Sequence, residues 1–519
     1  MKHLRLTTIA IAAITTVGTV NALTITDLVA ARGAGTLKEI RIAGASALRL
    51  SVAAYAQEIC SPANFHVMWN TNAEGTGHRA YSCNLAVAQG AFGVGTPILL
   101  YKRDAGGSGQ GVNPIALAAD QTHMVVDATC TIRTGGLGDA PATDAAIANY
   151  ICAGLETTGI KSDAGISDVE PTLLQASINL PGTTALTPAQ LAGLDVAPLA
   201  QALFGVVVNK KAYRALQEAQ GIIAPGNALI DVPADQATWT DATLATIPSL
   251  PTTFVRAMLN GQLLGGPGNT TAKRGWNLVI PNTDYVLDGN IRPAVDTTSV
   301  NKTLNICRRT EGSGTQATSN AFFATNPCNN VAGSFSTPLG VTGSSGNETT
   351  TNATVSSATI LVQEGSSAGQ VENCVGVDAE AAVGGDNKAY ALGFLGREAN
   401  PQRAGGDLPY RYVKLDGIAP VRKLAQSGQY PVVFESTMQW NKTTVPAGSE
   451  KDAFLRAVRA GFGTPNALAK VDSDTQQGVM TPPAGYTGPW VDLSGNAALF
   501  GSRVARLAGN SCAPLRIVK

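Results

Sequence analysis

The chain has 519 residues, more than one hydrophobic core usually serves, and 44% of them are hydrophobic, so two lobes or domains are expected. Only 14% are charged, and 37 basic residues balance 37 acidic ones, without the basic excess that nucleic-acid and membrane-surface binders carry. Glycine is abundant at 56 residues and aromatics are scarce at 5%, which suits an α/β protein with many tight turns rather than a coiled coil or a disordered chain.

Residues 1–22, MKHLRLTTIAIAAITTVGTVNA, combine a short basic start, an apolar stretch from Ile9 to Val20 and small residues at Val20 and Ala22. This is the pattern of a secretory signal cleaved after Ala22. Its apolar run is too short and too rich in threonine for a membrane span, and no other run of about 20 apolar residues follows. The expectation is a periplasmic or secreted protein with no membrane insertion after cleavage. Loss of Lys2 and Arg5 leaves 35 basic and 37 acidic residues, a formal net charge of −2, so any charge recognition must be local.

Cys60, Cys83, Cys130, Cys152, Cys307, Cys328, Cys374 and Cys512 form an even set, and in an exported chain this predicts disulfides. Spacing does not determine connectivity. Pairing sequence neighbours gives Cys60–Cys83, Cys130–Cys152 and Cys307–Cys328, and leaves Cys374 for Cys512. Cys60, His66, His78 and Cys83 offer a rival zinc set, but their spacing matches no compact metal pattern, and no metal or cofactor is expected.

Along the chain, Glu39–Ala43 reads as a strand, followed by a Gly-Ala-Ser turn and a helix for which Ser46 would be the N-cap. After an insertion bounded by Cys60 and Cys83, Gly95–Tyr101 is strand-like and runs through GGSGQGV into another helix start. Gly165-Ile166-Ser167-Asp168 is a turn predicted to open on a helix near Pro171. Leu203–Asn209 is a buried-strand pattern, with KKAYRALQEAQG helical after it. Thr303–Cys307 is a strand, GTQATSNAFFAT a helix, residues 334–359 a Ser/Thr/Asn-rich surface insertion, and Ala389–Leu395 a further strand. Strands alternating with helices predict parallel sheets covered on both faces.

Four times a small-residue turn with Ser, Thr or Asp stands where a strand gives way to a helix. In open α/β sheets that place is the ligand crevice, and helix N-termini offer backbone N–H groups to anions. The fourth turn, CRRTEGSGTQA from Cys307 to Ala317, is the richest. Gly312 and Gly314 let the backbone approach a ligand, Ser313 and Thr315 add hydroxyls, and Arg309 supplies a fork for two oxygens of a tetrahedral oxyanion. Glu311 is placed to orient Arg309.

The segment 309–315 resembles the Arg-x-Asp-Gly-Ser-Gly-Thr motif of periplasmic phosphate-binding proteins that feed ABC transporters. Gly44-Ala45-Ser46, Gly106–Val112, Gly165–Asp168 and Lys414–Pro420 are similar to other segments of that family in the same order. Glu311 replaces the family's Asp, Ala47 stands where an aromatic is usual, and segments 60–95 and 329–372 are extra. The resemblance implies a two-lobed type II periplasmic-binding-protein architecture with a cleft between the lobes. It also implies contacts to phosphate or a related oxyanion from Ser46, Ser108, Asp168, Arg309, Ser313, Gly314 and Thr315, with Glu311 included in the site. Asp168 would accept a hydrogen bond from protonated phosphate and repel sulfate. An ABC transporter permease would be the partner, and a monomer is expected. Residues 23–202 would form the first lobe, 203–389 the second, and 390–519 the return and C-terminal segment. Lys102, Arg103 and Asp104 are assigned to the rim of the site.

Gly365-Ser366-Ser367-Ala368-Gly369 fits a hydrolase nucleophile pattern, but such an enzyme needs a later histidine, and the chain has none after His123. There is no P-loop sequence. The reading is therefore a non-enzymatic binding protein. An exported structural or surface-assembly protein retaining the binding fold is the alternative, and a phosphate-ester hydrolase the third.

Overall fold

A computed structural model describes residues 23–60, 65–70, 77–133, 148–180, 182, 184–260, 275–280, 304–329, 341–343, 350–355, 358–378, 390–403, 406–471 and 476–519. The predicted signal segment 1–22 lies outside these residues, as does much of 334–359.

The chain is α/β around one 16-stranded sheet. Its main strands are β1 (Lys38–Gly44), β2 (His66–Trp69), β3 (His78–Asn84), β4 (Pro97–Arg103), β5 (Ala164–Ser167), β6 (Leu194–Asn209), β7 (Leu304–Arg309), β8 (Ala358–Gly365), β9 (Ala391–Gly396) and β10 (Val433–Asn441). Across the sheet they run β8, β7, β9, β6, β10, β5, β1, β4, β3, β2. β1 is parallel to β4 and β5, and β7 is parallel to β8 and β9. Between these groups β6 is antiparallel to both neighbours, so the sheet is mixed rather than wholly parallel.

β6 is the seam of the sheet. Leu194–Leu203 pairs with β10, and Phe204–Val208 with β9. The strand is longer than its apolar run predicts, since Pro198 is accommodated at a register shift between Pro198 and Ala200. The buried residues fall into several clusters, among them one with Ile42, Tyr55, Trp69, Leu100 and Phe454 and another with Phe204, Tyr213, Trp276, Phe323 and Phe394.

The helices that matter here are α1 (Arg49–Ile59), α2 (Lys210–Ala219), α3 (Gly314–Phe323) and α4 (Glu450–Phe462). α2 follows β6 with Asn209 as its cap, Oδ1 accepting from Ala212 N–H at 3.2 Å. Ser46 is not the cap of α1. The turn Ser46–Arg49, closed by Arg49 N–H to Ser46 O at 3.2 Å, uses those residues first, and the helix begins with Leu48 at the N-cap position.

The helix predicted near Pro171 is also absent. Two short 3-10 turns, Leu173–Gln175 and Ser177–Asn179, stand there, and side chains take up backbone groups that a helix would use. Asn179 Nδ2 donates to Leu173 O at 2.8 Å, and Gln175 Nε2 donates to Pro171 O at 3.1 Å. The described parts of the Ser/Thr-rich stretch are strands rather than loop, with Val341–Gly343 and Thr350–Val355 both paired to β8. Their β-branched threonines and valines suit a sheet edge.

Two disulfides, Cys60–Cys83 and Cys130–Cys152, join sequence neighbours, and the first removes both cysteines of the zinc alternative. The other two differ from the expected pairing: Cys307 bonds Cys374, and Cys328 bonds Cys512. Cys307 lies on β7 beside β8, and the turn after β8 carries Cys374 over it, so adjacency in the sheet overrides adjacency in sequence.

Candidate functional site

Three of the predicted turns meet because glycines let their backbones touch. A Cβ on Gly165 would lie 1.8 Å from Gly111 O, and one on Gly44 would lie 2.1 Å from Ile166 O and 2.7 Å from Gly111 Cα. Only glycine fits these positions, so the ends of β1 and β5 close on the turn Ser108–Gly111. That closure brings Ser108 to Asp168. The Ser108 hydroxyl donates to Asp168 Oδ2 at 3.1 Å and accepts the Asp168 N–H at 3.1 Å.

The fourth turn reaches them from the other half-sheet. Gly312, at φ +80°, donates its N–H to Asn179 O at 2.9 Å and accepts from Gly109 N–H at 2.8 Å. Ser313 caps α3, its hydroxyl accepting from Gln316 N–H at 3.4 Å. Gly314 packs so closely that a Cβ there would lie 2.4 Å from Ser108 Oγ and 2.7 Å from Asp168 Oδ2. Thr315 is buried in the first turn of the helix.

Arg309 is buried, its Nε donating to Gly365 O at 3.2 Å and its Nη2 to Ser366 O at 2.7 Å. Two carbonyls therefore hold the guanidinium in place. Glu311 does not orient it: it is exposed, and the charges that act on it are those of Glu364 and Arg308. Arg308, the other arginine of the motif, pairs with Glu364 at 2.8 Å.

The electrostatics of this cluster follow from burial. Burial pushes the Asp168 carboxyl above its ordinary range, against the Ser108 hydrogen bond and the Arg309 and Lys102 charges that pull it down. Burial likewise weakens the hold of Arg309 on its proton, and Asp168, Glu398 and Asp104 offset that. Asp168 Oδ1 is buried and, among the described residues, has no hydrogen-bond partner. An acceptor stripped of water and left unpaired is costly, so the position is suited to a donor from outside the chain.

Ser46 stands apart from this cluster. It lines a cavity of about 440 Å³ between the half-sheets, together with Asp104, Ser366, Ser367 and Glu398. Lys102 is not at the rim. It is fully buried, donates to Gly44 O at 2.5 Å and is pushed down to about 8 by burial. Arg103 turns away to Thr122 O and Ala105 O. Ser367 caps the short helix Ala368–Glu372, accepting from Gln370 N–H at 3.3 Å, as a loop residue at that position would.

Glu398 was not a candidate from sequence. Burial pushes its carboxyl up to about 8, although part of its surface faces the cavity. The signal was a charged pair, Arg397-Glu398, directly after the apolar strand β9, a strand-end position at the crevice. Asn179, which ties Gly312 to α3 through Asn320 at 2.9 Å, carried no signal at all.

No protein-family model matches the sequence, and no curated protein sequence matches it. Among solved structures, the fold is similar to a candidate phosphate ABC transporter substrate-binding protein with bound phosphate from Clostridium perfringens. That likeness has a TM-score of 0.38 and 10% identity, covering 84% of this chain and 98% of that one. It is also similar to an ABC-type phosphate transport receptor from Vibrio cholerae, with a TM-score of 0.33, 10% identity, and 81% and 94% covered. Likenesses of this size concern the path of the chain and say nothing of what this protein binds.

Proposed function

We propose that the protein binds a small tetrahedral oxyanion, phosphate above all, where Arg309 and Ser313-Gly314-Thr315 face Ser108 and Asp168, with Ser46 approaching from the cavity. The observation that carries this reading is the unpartnered, buried Asp168 Oδ1 beside the buried guanidinium of Arg309 and the N-terminus of α3. The cation and the helix end attract the anion, and the carboxylate oxygen accepts a proton-bearing oxygen. Phosphate carries such a proton at neutral pH and sulfate does not. In this reading the protein is an exported, non-catalytic, monomeric solute-binding protein that hands its ligand to an ABC permease. Gly314 packs against Ser108 and Asp168, so the halves part to admit the ligand and re-form around it.

A specific feature favours a second reading, an exported structural protein. The Gly109–Gly312 hydrogen bond and the Cys328–Cys512 disulfide are fixed cross-links between distant segments, which restrain the opening that a receptor needs. Isothermal titration of phosphate and sulfate into the mature protein and into Arg309→Ala separates the two. Phosphate binding that sulfate does not displace and Arg309→Ala abolishes supports the receptor; no heat with either anion leaves the structural role.

A further inference from the structure

The cavity beside the anion turn is too large for the ligand that the turn suits. It measures about 440 Å³. A tetrahedral oxyanion has four oxygens around one small centre, so it fills no more than about four water volumes, roughly 120 Å³. Ser108, Asp168, Arg309, Ser313, Gly314 and Thr315 are not among the cavity's walls, but the cavity adjoins them. Ser366, whose carbonyl holds Arg309 Nη2 at 2.7 Å, is one of its walls, and Ser46 and Gly106 are others.

The chemistry of the walls narrows what fills that space. Ser51, Ser367, Asn400, Asp104 and Glu398 bring hydroxyl, amide and carboxyl groups from both halves, and Leu50 and Val479 supply a small apolar surface. Among the described residues none that lines it is aromatic, so they offer no ring platform for a nucleobase. Asp104 also lines the space, and its carboxylate is an acceptor. Alcohol hydroxyls are the donors that suit it, and a protonated Glu398 can donate in return.

We infer that the ligand is a phosphorylated polyol, its phosphoryl group at the anion turn and its hydroxyl-bearing carbon chain in the cavity between Asp104 and Glu398. This rests on the oxyanion reading above and adds the substrate class. Inorganic phosphate then occupies the same turn with lower affinity, because it makes no contact with Asp104.

The test is titration of inorganic phosphate, glycerol 3-phosphate and a hexose 6-phosphate into the mature protein, Asp104→Asn and Gly369→Phe. Gly369 lies on the cavity wall, and a Cβ there meets nothing nearer than 3.9 Å, so the ring projects into the space without displacing the anion cluster. The expected result is that one or both esters bind at least about tenfold more tightly than phosphate. Gly369→Phe removes that preference and keeps phosphate binding, and Asp104→Asn weakens the esters selectively. Phosphate binding as tightly as either ester, unchanged in Gly369→Phe, overturns the inference and leaves the oxyanion reading standing. Absence of binding by all three compounds overturns both.

Discussion

Ser108 and Asp168 are joined twice, the hydroxyl donating to Oδ2 and accepting the backbone N–H, both at 3.1 Å, although 60 residues separate them in sequence. One side chain thus fixes both the carboxylate and the backbone from which it springs. Ser108→Ala leaves the Asp168 N–H and Oδ2 short of a buried partner and should destabilise the protein by about 1–3 kcal/mol. Asp168→Asn replaces an acceptor by a group that can also donate, so sulfate should gain on phosphate. Urea unfolding checks the first, and competition titration the second; unchanged anion selectivity in Asp168→Asn would remove Asp168 from the site.

Glu398 predicts a stability curve. A carboxyl raised in the folded state keeps its proton there while the unfolded chain releases it. Its contribution is therefore intact below its ordinary value of 4.5 and is lost as pH rises toward about 8. Glu398→Gln mimics the neutral form, so the variant should gain on wild type by about 1.4 kcal/mol per pH unit across that window. His78 and His123, pushed down to about 4 and about 3 by burial, act in the opposite sense, but equally in both proteins. Urea midpoints at about pH 5 and about pH 8 read the difference; a constant gap would mean that Glu398 is not held protonated.

The Cys328–Cys512 bond spans 184 residues and ties the segment after α3 to the C-terminal tail, where Ser511 N–H donates to Glu170 Oε1 at 3.0 Å. Glu170 lies just beyond β5, so the bond ties the segment after α3 to a tail that is anchored there. Cys328→Ala with Cys512→Ala should cost about 2–4 kcal/mol and let the halves separate more freely. Stopped-flow exchange of bound ligand should then be faster, with Cys60–Cys83 intact as the control. Identical exchange rates would show that the bond does not restrain opening.

Gly165→Ala should be among the most damaging small substitutions. Its Cβ would lie 1.8 Å from a backbone oxygen of Gly111, which no side-chain rotation relieves. A loss of about 3 kcal/mol or more is expected, with oxyanion binding lost as Ser108 and Asp168 are pushed apart. Gly182→Ala, where a Cβ meets nothing within 4 Å, is the control for general disturbance, although its φ of +58° adds some local strain.

Much of this protein was legible from sequence because the signals are local. The apolar runs at Ile40–Ala43 and Val206–Val208 announced strands, the spacing in Lys210–Ala219 announced a helix, and GTQATSNAFFAT announced α3. The turns that carry Ser108, Asp168 and Arg309 were visible as clusters of glycine, hydroxyl and charge where strands ended, and the resemblance to phosphate-binding proteins assigned those residues to one site. Local pattern failed where side chains competed for the backbone, as Gln175 and Asn179 do after Pro171.

Sequence by itself determined the α/β class, the strand-end turns and the residue types that suit an anion, because periodicity and turn chemistry act over a few residues. Tertiary structure alone decided that Cys307 meets Cys374, that Glu311 faces solvent while carbonyls hold Arg309, and that Glu398 and Asp104 border a cavity. Those outcomes depend on which strands become neighbours and on how closely glycine backbones approach. Distances across a sheet are set by packing between segments far apart in the chain, and no short stretch of sequence contains them.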